Sequence, residues 1–206
     1  EYLPVMLDIE RGLLAGRPPK YVQIPTAAAP EGPAVMAKWT RLGAEQAGRL
    51  GVDAVPLPIA DRAGAEDREI AEQVRGAGLV YMSGGSPAFL AETLRDSVVW
   101  AEVLAAWRAG AALAGCSAGA MAMTSWVPQV RALHRPADPG LGLLPHLRVI
   151  PHFDKMLGWA PDLLTRVLLH APEGVTVLGI DEDTALVGGP VVWEVHGSQS
   201  VWSLGH

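Results

Sequence analysis

The sequence predicts an α/β protein of three layers, a mostly parallel central sheet covered by helices on both faces, with a C-terminal hairpin. Three observations carry the prediction. Short apolar runs alternate with stretches of helical spacing through the first 125 residues, the rhythm of strand–helix–strand units. Half of the 206 residues are apolar and 18% are charged, yet no run of 18 apolar residues occurs, so a core can be buried without a membrane span. The C-terminal end holds brief β-rich runs separated by Gly and Pro, a hairpin pattern. The length fits a single domain over residues 1–206.

The elements follow in order. Leu3 to Leu14 reads as a short helix stopped by Gly16 and Pro18-Pro19. Tyr21–Pro25 is a strand running into a Thr26–Pro30 loop. Pro33–Leu50 has helical spacing through Val35, Trp39, Leu42, Ala47 and Leu50, with Gly51 at its end. Asp53–Ile59 is a strand whose Pro56 and Pro58 point to an exposed or edge position. Glu66–Val74 is helical, and Gly78–Met82 is a strand leading into Ser83-Gly84-Gly85. Helices over Phe89–Leu94 and Trp100–Arg108 precede the strand Ala111–Gly115, which is expected at the centre of the sheet. Ala118–Thr124 is a helix, Leu147–Pro151 a strand and Leu163–Leu169 a helix. The strands Thr176–Ile180, Ala185–Val187, Val191–Val195 and Val201–Leu204 complete the chain.

Composition narrows the function. Twenty-two acidic residues against sixteen basic ones give a net charge of -6, and no Lys/Arg cluster supports binding to nucleic acid. The single cysteine, Cys116, excludes an internal disulfide, disfavours a structural zinc site and fits a reducing, cytoplasmic interior.

The sharpest local signal is Gly115-Cys116-Ser117-Ala118-Gly119, placed where an apolar strand passes into a helix. A nucleophile on such a tight turn needs small neighbours, and Gly115, Ala118, Gly119 and Ala120 supply them. Ser117 would then stand above the sheet, close to the N–H groups that open the helix. A plain reading competes: a Gly/Ala-rich junction whose serine merely caps the helix. Cys116 lies one residue before the centre of the motif and reads as a small buried hydrophobe. Gly84-Gly85 also follows a strand, so in a parallel sheet it shares an edge with Ser117. The Gly85 and Ala118 N–H groups are the candidate oxyanion donors. No G-x-G-x-x-G or phosphate-loop lysine motif points to a nucleotide.

A serine hydroxyl needs a base. Of six histidines, His152 closes a strand and can reach the edge carrying Ser117. His134, His146, His170, His196 and His206 are placed less favourably. For the orienting carboxylate, Asp154 is two residues from His152, while Asp181, Glu182 and Asp183 follow the strand Thr176–Ile180. The residues alone leave Glu182 and Asp154 equal.

At these positions the chain resembles the dipeptidase E and cyanophycinase family of serine peptidases, whose domain is similar to class I glutamine amidotransferases. The matching segments are Ile24-Pro25-Thr26-Ala27-Ala28, Met82-Ser83-Gly84-Gly85, Gly115-Cys116-Ser117-Ala118-Gly119-Ala120, Gly140-Leu141-Gly142-Leu143-Leu144, Ile150-Pro151-His152-Phe153 and Gly179-Ile180-Asp181-Glu182-Asp183-Thr184-Ala185. The resemblance implies hydrolysis of peptide or isopeptide bonds beside aspartate in small peptides, with Ser117 as nucleophile, His152 as base and no cofactor or metal. Glu182 resembles the carboxylate of cyanophycinase-like members. The dipeptidase branch has its acid about fifteen residues beyond the serine, where Thr124–His134 holds no Asp or Glu and Asp138 is the first candidate. Arginines that follow the histidine in the cyanophycinase branch are replaced here by Asp154, Lys155, Met156 and Leu157. The family's opening strand and glycine loop have no counterpart ahead of Glu1, so a domain without its usual first strand is expected. Two rivals stand beside this reading. One is an esterase-like α/β-hydrolase using Ser117, Asp181 and His196; the other is a non-catalytic binding or scaffold domain. Pro-containing strands and seven tryptophans offer surfaces for homo-oligomerisation.

Overall fold

The computed structural model describes residues 4–128, 137–156, 171–189 and 191–204. The expected helix over Leu163–Leu169, with His134, His170 and His206, lies outside them. Helix α1 (Pro4–Leu14) leads to strand β1 (Lys20–Ile24), a 3₁₀ turn over Thr26–Glu31 and helix α2 (Pro33–Leu50). Strand β2 (Asp53–Pro56) is followed by two short helices, α3 (Arg62–Ala65) and α4 (Arg68–Glu72), and by strand β3 (Leu79–Met82). Helices α5 (Pro87–Leu94) and α6 (Val98–Arg108) precede strand β4 (Ala112–Gly115) and helix α7 (Ala118–Ala122).

These four strands form a parallel sheet in the order β2-β1-β3-β4. Alternation along the strands explains the layers. Val22, Ile24, Val80, Met82 and Leu113 face the helices α3 to α7, where Leu90, Leu94, Val99, Val103 and Ala118 complete the main core. Tyr21, Leu79, Ala112 and Ala114 face the other way and pack with Leu14 of α1 and Ala47 of α2. A period of two therefore buries both faces of the inner strands β1 and β3, while the flanking β2 and β4 stay more open.

Among the described residues the second half builds three small sheets, two of two strands and one of three. Strands β5 (Trp126–Val127) and β6 (Asp138–Pro139) pair with each other. Strand β7 (Leu147–Pro151) leads into the short helix α8 (Phe153–Met156), and β8 (Thr176–Ile180) runs parallel to β7. Strands β9 (Thr184–Gly188) and β10 (Trp193–Gly197) form the C-terminal hairpin, and β11 (Val201–Ser203) returns antiparallel to β8. The strand orders are β5-β6, β11-β8-β7 and β10-β9.

The α/β class and the edge position of β2 follow the sequence expectation. The β5–β6 pair is an addition, β10 starts two residues later than expected, and three further details differ. Strand β4 is parallel but not central: among the described residues the first sheet ends on it, because β7 packs against α7 and takes β8 as its ladder partner. The helix expected over Glu66–Val74 is shorter, Arg68–Glu72, with α3 ahead of it; the Asp67 carboxylate accepts the N–H groups of Glu69 at 2.8 Å and Ile70 at 3.2 Å and so caps its start. The strand expected to reach Ile59 stops at Pro56, although Leu57 and Ile59 remain in the core.

Candidate active site

Four loops, those after β4, β3, β7 and β8, meet at the carboxyl ends of the strands. The first is the turn between β4 and α7. Ser117 sits there with φ 49° and ψ −104°, a backbone conformation that an L-residue adopts only when its surroundings enforce it. The enforcement is visible in the glycines on either side. A Cβ on Gly115 would run into the backbone of Gly119 and Ala120, and one on Gly119 would overlap the carbonyl of Met82. The Cys116 N–H donates to that same Met82 carbonyl at 3.0 Å, which pins the turn to the end of β3. Although Ser117 occupies the N-cap position of α7, its hydroxyl caps nothing. The helix-cap reading of this serine is therefore set aside.

The second loop follows β3. Gly84 lies against Trp39, and a Cβ on it would meet that of Ser117 at 3.7 Å. Gly85 has φ 138° and is exposed, while its neighbour Ser86 is anchored by an N–H bond to the Ala27 carbonyl at 2.7 Å. Both loops thus share one edge of the sheet. Among the described residues, neither the Gly85 N–H nor the Ala118 N–H meets a backbone acceptor. Underneath, Gln23 donates to the Trp39 carbonyl at 2.6 Å and to the Ser83 hydroxyl at 3.2 Å, tying the loop to α2.

The third and fourth loops come from the sheet of β7 and β8. His152 follows β7 with φ 63°, and its Nε2 is 2.8 Å from the Ser117 Oγ. Its Nδ1 is 2.7 Å from Oε1 of Glu182, which follows β8. The tautomer that satisfies both contacts carries its proton on Nδ1, donates it to the carboxylate, and accepts the serine proton on Nε2. Both side chains are part-exposed, 44% for His152 and 38% for Glu182, so the pair opens on solvent. The parallel pairing of β7 and β8, Pro151 opposite Ile180, brings the two loops to the same edge.

The other sequence candidates lie elsewhere. Asp154 turns from the imidazole and accepts the Glu182 N–H at 2.9 Å. Its carboxyl is held below the usual carboxylate range, first by that N–H, while partial desolvation opposes and Lys155 assists. Asp138 is in the β5–β6 pair, opposite Val127. Asp181 is buried, with Oδ2 accepting the Trp202 indole N–H at 2.9 Å and the Ser200 N–H at 3.3 Å. His196 is paired with Glu194 on β10. Ser117, Asp181 and His196 therefore form no triad, which removes the geometry of the esterase alternative. Burial pushes the Cys116 thiol up, against a hydrogen bond with Tyr81, so its thiolate is disfavoured.

Sequence reasoning missed the Asp154–Glu182 bond, the Asp181–Trp202 clamp and Gln199, whose side chain donates to the Glu182 carbonyl at 3.1 Å. The two-residue spacing of His152 and Asp154 carried a signal for the first. Nothing local marked the others.

No match emerges among curated proteins. The sequence profile of peptidase family S51 matches residues 1–189. Among solved structures, a peptidase from an acI-B1 Actinobacterium superposes with a TM-score of 0.90 at 40% identity, over 100% of this chain and 87% of that one. A candidate peptidase E of Listeria monocytogenes EGD-e is 19% identical with a TM-score of 0.65, over 98% of this chain and 92% of that one, a likeness of fold alone. A profile spanning most of the sequence and a solved peptidase similar along its whole length lead to one conclusion: the chain belongs to peptidase family S51, the dipeptidase E and cyanophycinase family of serine peptidases.

Proposed function

We propose that this serine peptidase cleaves peptide or isopeptide bonds in small acidic peptides, with Ser117 as nucleophile, His152 as general base and Glu182 as the orienting carboxylate. The observation that carries the reading is the continuous relay of hydrogen bonds, 2.8 Å from Ser117 to His152 and 2.7 Å from His152 to Glu182. The preference for acidic peptides rests on likeness to the dipeptidase E and cyanophycinase family.

The steps follow from the geometry. His152 Nε2 takes the Ser117 proton as Oγ attacks the substrate carbonyl. The Gly85 and Ala118 N–H groups donate to the oxyanion of the tetrahedral intermediate, and charge that develops there meets dipoles already in place. His152 then passes its proton to the leaving amine, and a peptide-derived acyl group stays on Ser117. Water, deprotonated by the same imidazole, attacks this ester and releases the acid. Throughout, Glu182 accepts the Nδ1–H, which holds the imidazole in the tautomer that the first step requires and stabilises the imidazolium. No cofactor enters these steps.

A fluorophosphonate probe followed by peptide mapping tests the nucleophile. Labelling is expected on Ser117, absent from Ser117→Ala and retained by Cys116→Ser. On a panel of Asp-containing dipeptides and isopeptides, Glu182→Gln should lower turnover on the order of 10²-fold or more. Full activity in Ser117→Ala, or a wild-type chain that neither takes the probe nor cleaves the panel, would sink the proposal.

A further inference from the structure

Glu182 is held at both ends, by hydrogen bonds to its carboxylate and to its main chain. Its side chain is 38% exposed, and the carboxylate meets the imidazole at 2.7 Å. Its peptide groups are engaged on both sides. The Glu182 carbonyl accepts the Thr184 hydroxyl at 3.0 Å and the Gln199 side chain at 3.1 Å, both from the β9–β10 side of the loop. Its N–H donates to Asp154 Oδ1 at 2.9 Å, and Asp154 belongs to the base's own segment, two residues after His152.

The two segments therefore exchange hydrogen bonds in both directions. His152 Nδ1 reaches from the first segment to the Glu182 carboxylate, and the Glu182 N–H reaches back to the Asp154 carboxylate. One bond alone would leave the loops free to pivot about it. Two bonds of opposite sense, separated along each chain, fix distance and angle together. The backbone at His152 has a positive φ of 63°, so a strained turn is being held as well.

We propose that Asp154 is a positioning residue for this peptidase, whose carboxylate oxygen anchors the Glu182 main chain and thereby sets the Glu182 carboxylate against His152. The inference rests on the Ser117–His152–Glu182 reading. Its remaining oxygen, Oδ2, lies 3.4 Å from the Lys155 ammonium, so neither oxygen of Asp154 is turned to the imidazole. A bond from a charged acceptor to a backbone N–H is among the stronger kinds. That Glu182 N–H is also the first cause of the lowered Asp154 pKa, in keeping with a carboxylate bound in its ionised form.

The test separates an acceptor that acts through Glu182 from a residue that merely supports the fold. Asp154→Ala should lower kcat about tenfold or more with KM within about twofold. Asp154→Asn, whose amide oxygen can accept the same N–H, should restore most of that loss. Should Asp154→Ala fail to fold, Asp154→Glu takes its place: the extra methylene keeps the charge and displaces the acceptor, so kcat should again fall. The decisive comparison is a double-mutant cycle. Measured against the residual turnover of Glu182→Gln, adding Asp154→Ala should cost almost nothing further, because the carboxylate it places is already gone. An equal loss on both backgrounds would overturn the proposal. So would wild-type kcat in Asp154→Ala, or an Asp154→Asn variant as impaired as Asp154→Ala. If Glu182→Gln itself turns over like wild type, the triad reading fails instead, whatever Asp154 does.

Discussion

Ser117 and His152 both adopt positive φ without being glycine, at 49° and 63°. Such backbone costs about 1–3 kcal/mol at each position. For Ser117 this sets two effects against each other. Replacing it with glycine relieves the strain but costs about 0.5–1 kcal/mol through the greater freedom of the unfolded chain. Relief of strain outweighs that entropic cost. Ser117→Gly is therefore expected to raise the midpoint of thermal unfolding above that of Ser117→Ala while being equally inactive; a lower midpoint would show that the turn is not strained. At this scale the sequence was partly legible. Ser117 and His152 could be singled out because each follows an apolar strand directly, a relation contained in a few consecutive residues. Glu182 and Asp154 could not be told apart by the same means. Which carboxylate meets the imidazole depends on the turn taken after His152 and on a loop 30 residues away, and only the fold brings these together.

Among the elements, the β4–turn–α7 unit owes its shape to contacts that leave no space for a methyl group. Gly119 faces the Met82 carbonyl of β3, so Gly119→Ala must push α7 off the sheet or tilt the peptide that Cys116 bonds. Overpacking of this kind costs about 1–3 kcal/mol. Because α7 carries the Ala118 N–H, turnover should fall more steeply than stability, which kinetics and denaturant melts on the same preparation will separate. A variant with normal kcat would mean that the Ala118 N–H does not contribute to the oxyanion site. The small residues of this unit were readable in advance because their spacing is a steric requirement. The point where α4 starts was not, since Asp67 serves equally well as a surface residue and as an N-cap until the chain direction on either side is known.

For the molecule as a whole, acid should act through the link between the β7 and β8 loops. The Asp154 carboxyl is held below its ordinary range in the folded protein. A group whose folded pKa is depressed contributes stability that is complete above its unfolded pKa and is lost as pH falls through the folded value. The difference in thermal midpoint between wild type and Asp154→Asn should therefore shrink as the pH drops below about 4, with Lys155 and Glu182 common to both. A gap that widens in acid would contradict that sign. The strand order was the least legible feature at this scale. Ala112–Gly115 is short and apolar, as an inner strand would be, but apolar content does not say which partner lies alongside, and β7 chose β8. One consequence of that choice reaches further. Ser117 and its two candidate oxyanion donors belong to the chain before residue 128, whereas His152 and Glu182 belong to the β7–β8 sheet, built after residue 137. A chain severed between those points would yield two fragments, one with a hydroxyl and no base, the other with a base and nothing to activate. Turnover regained on mixing them would count reassembled molecules one by one, making the enzyme its own complementation reporter.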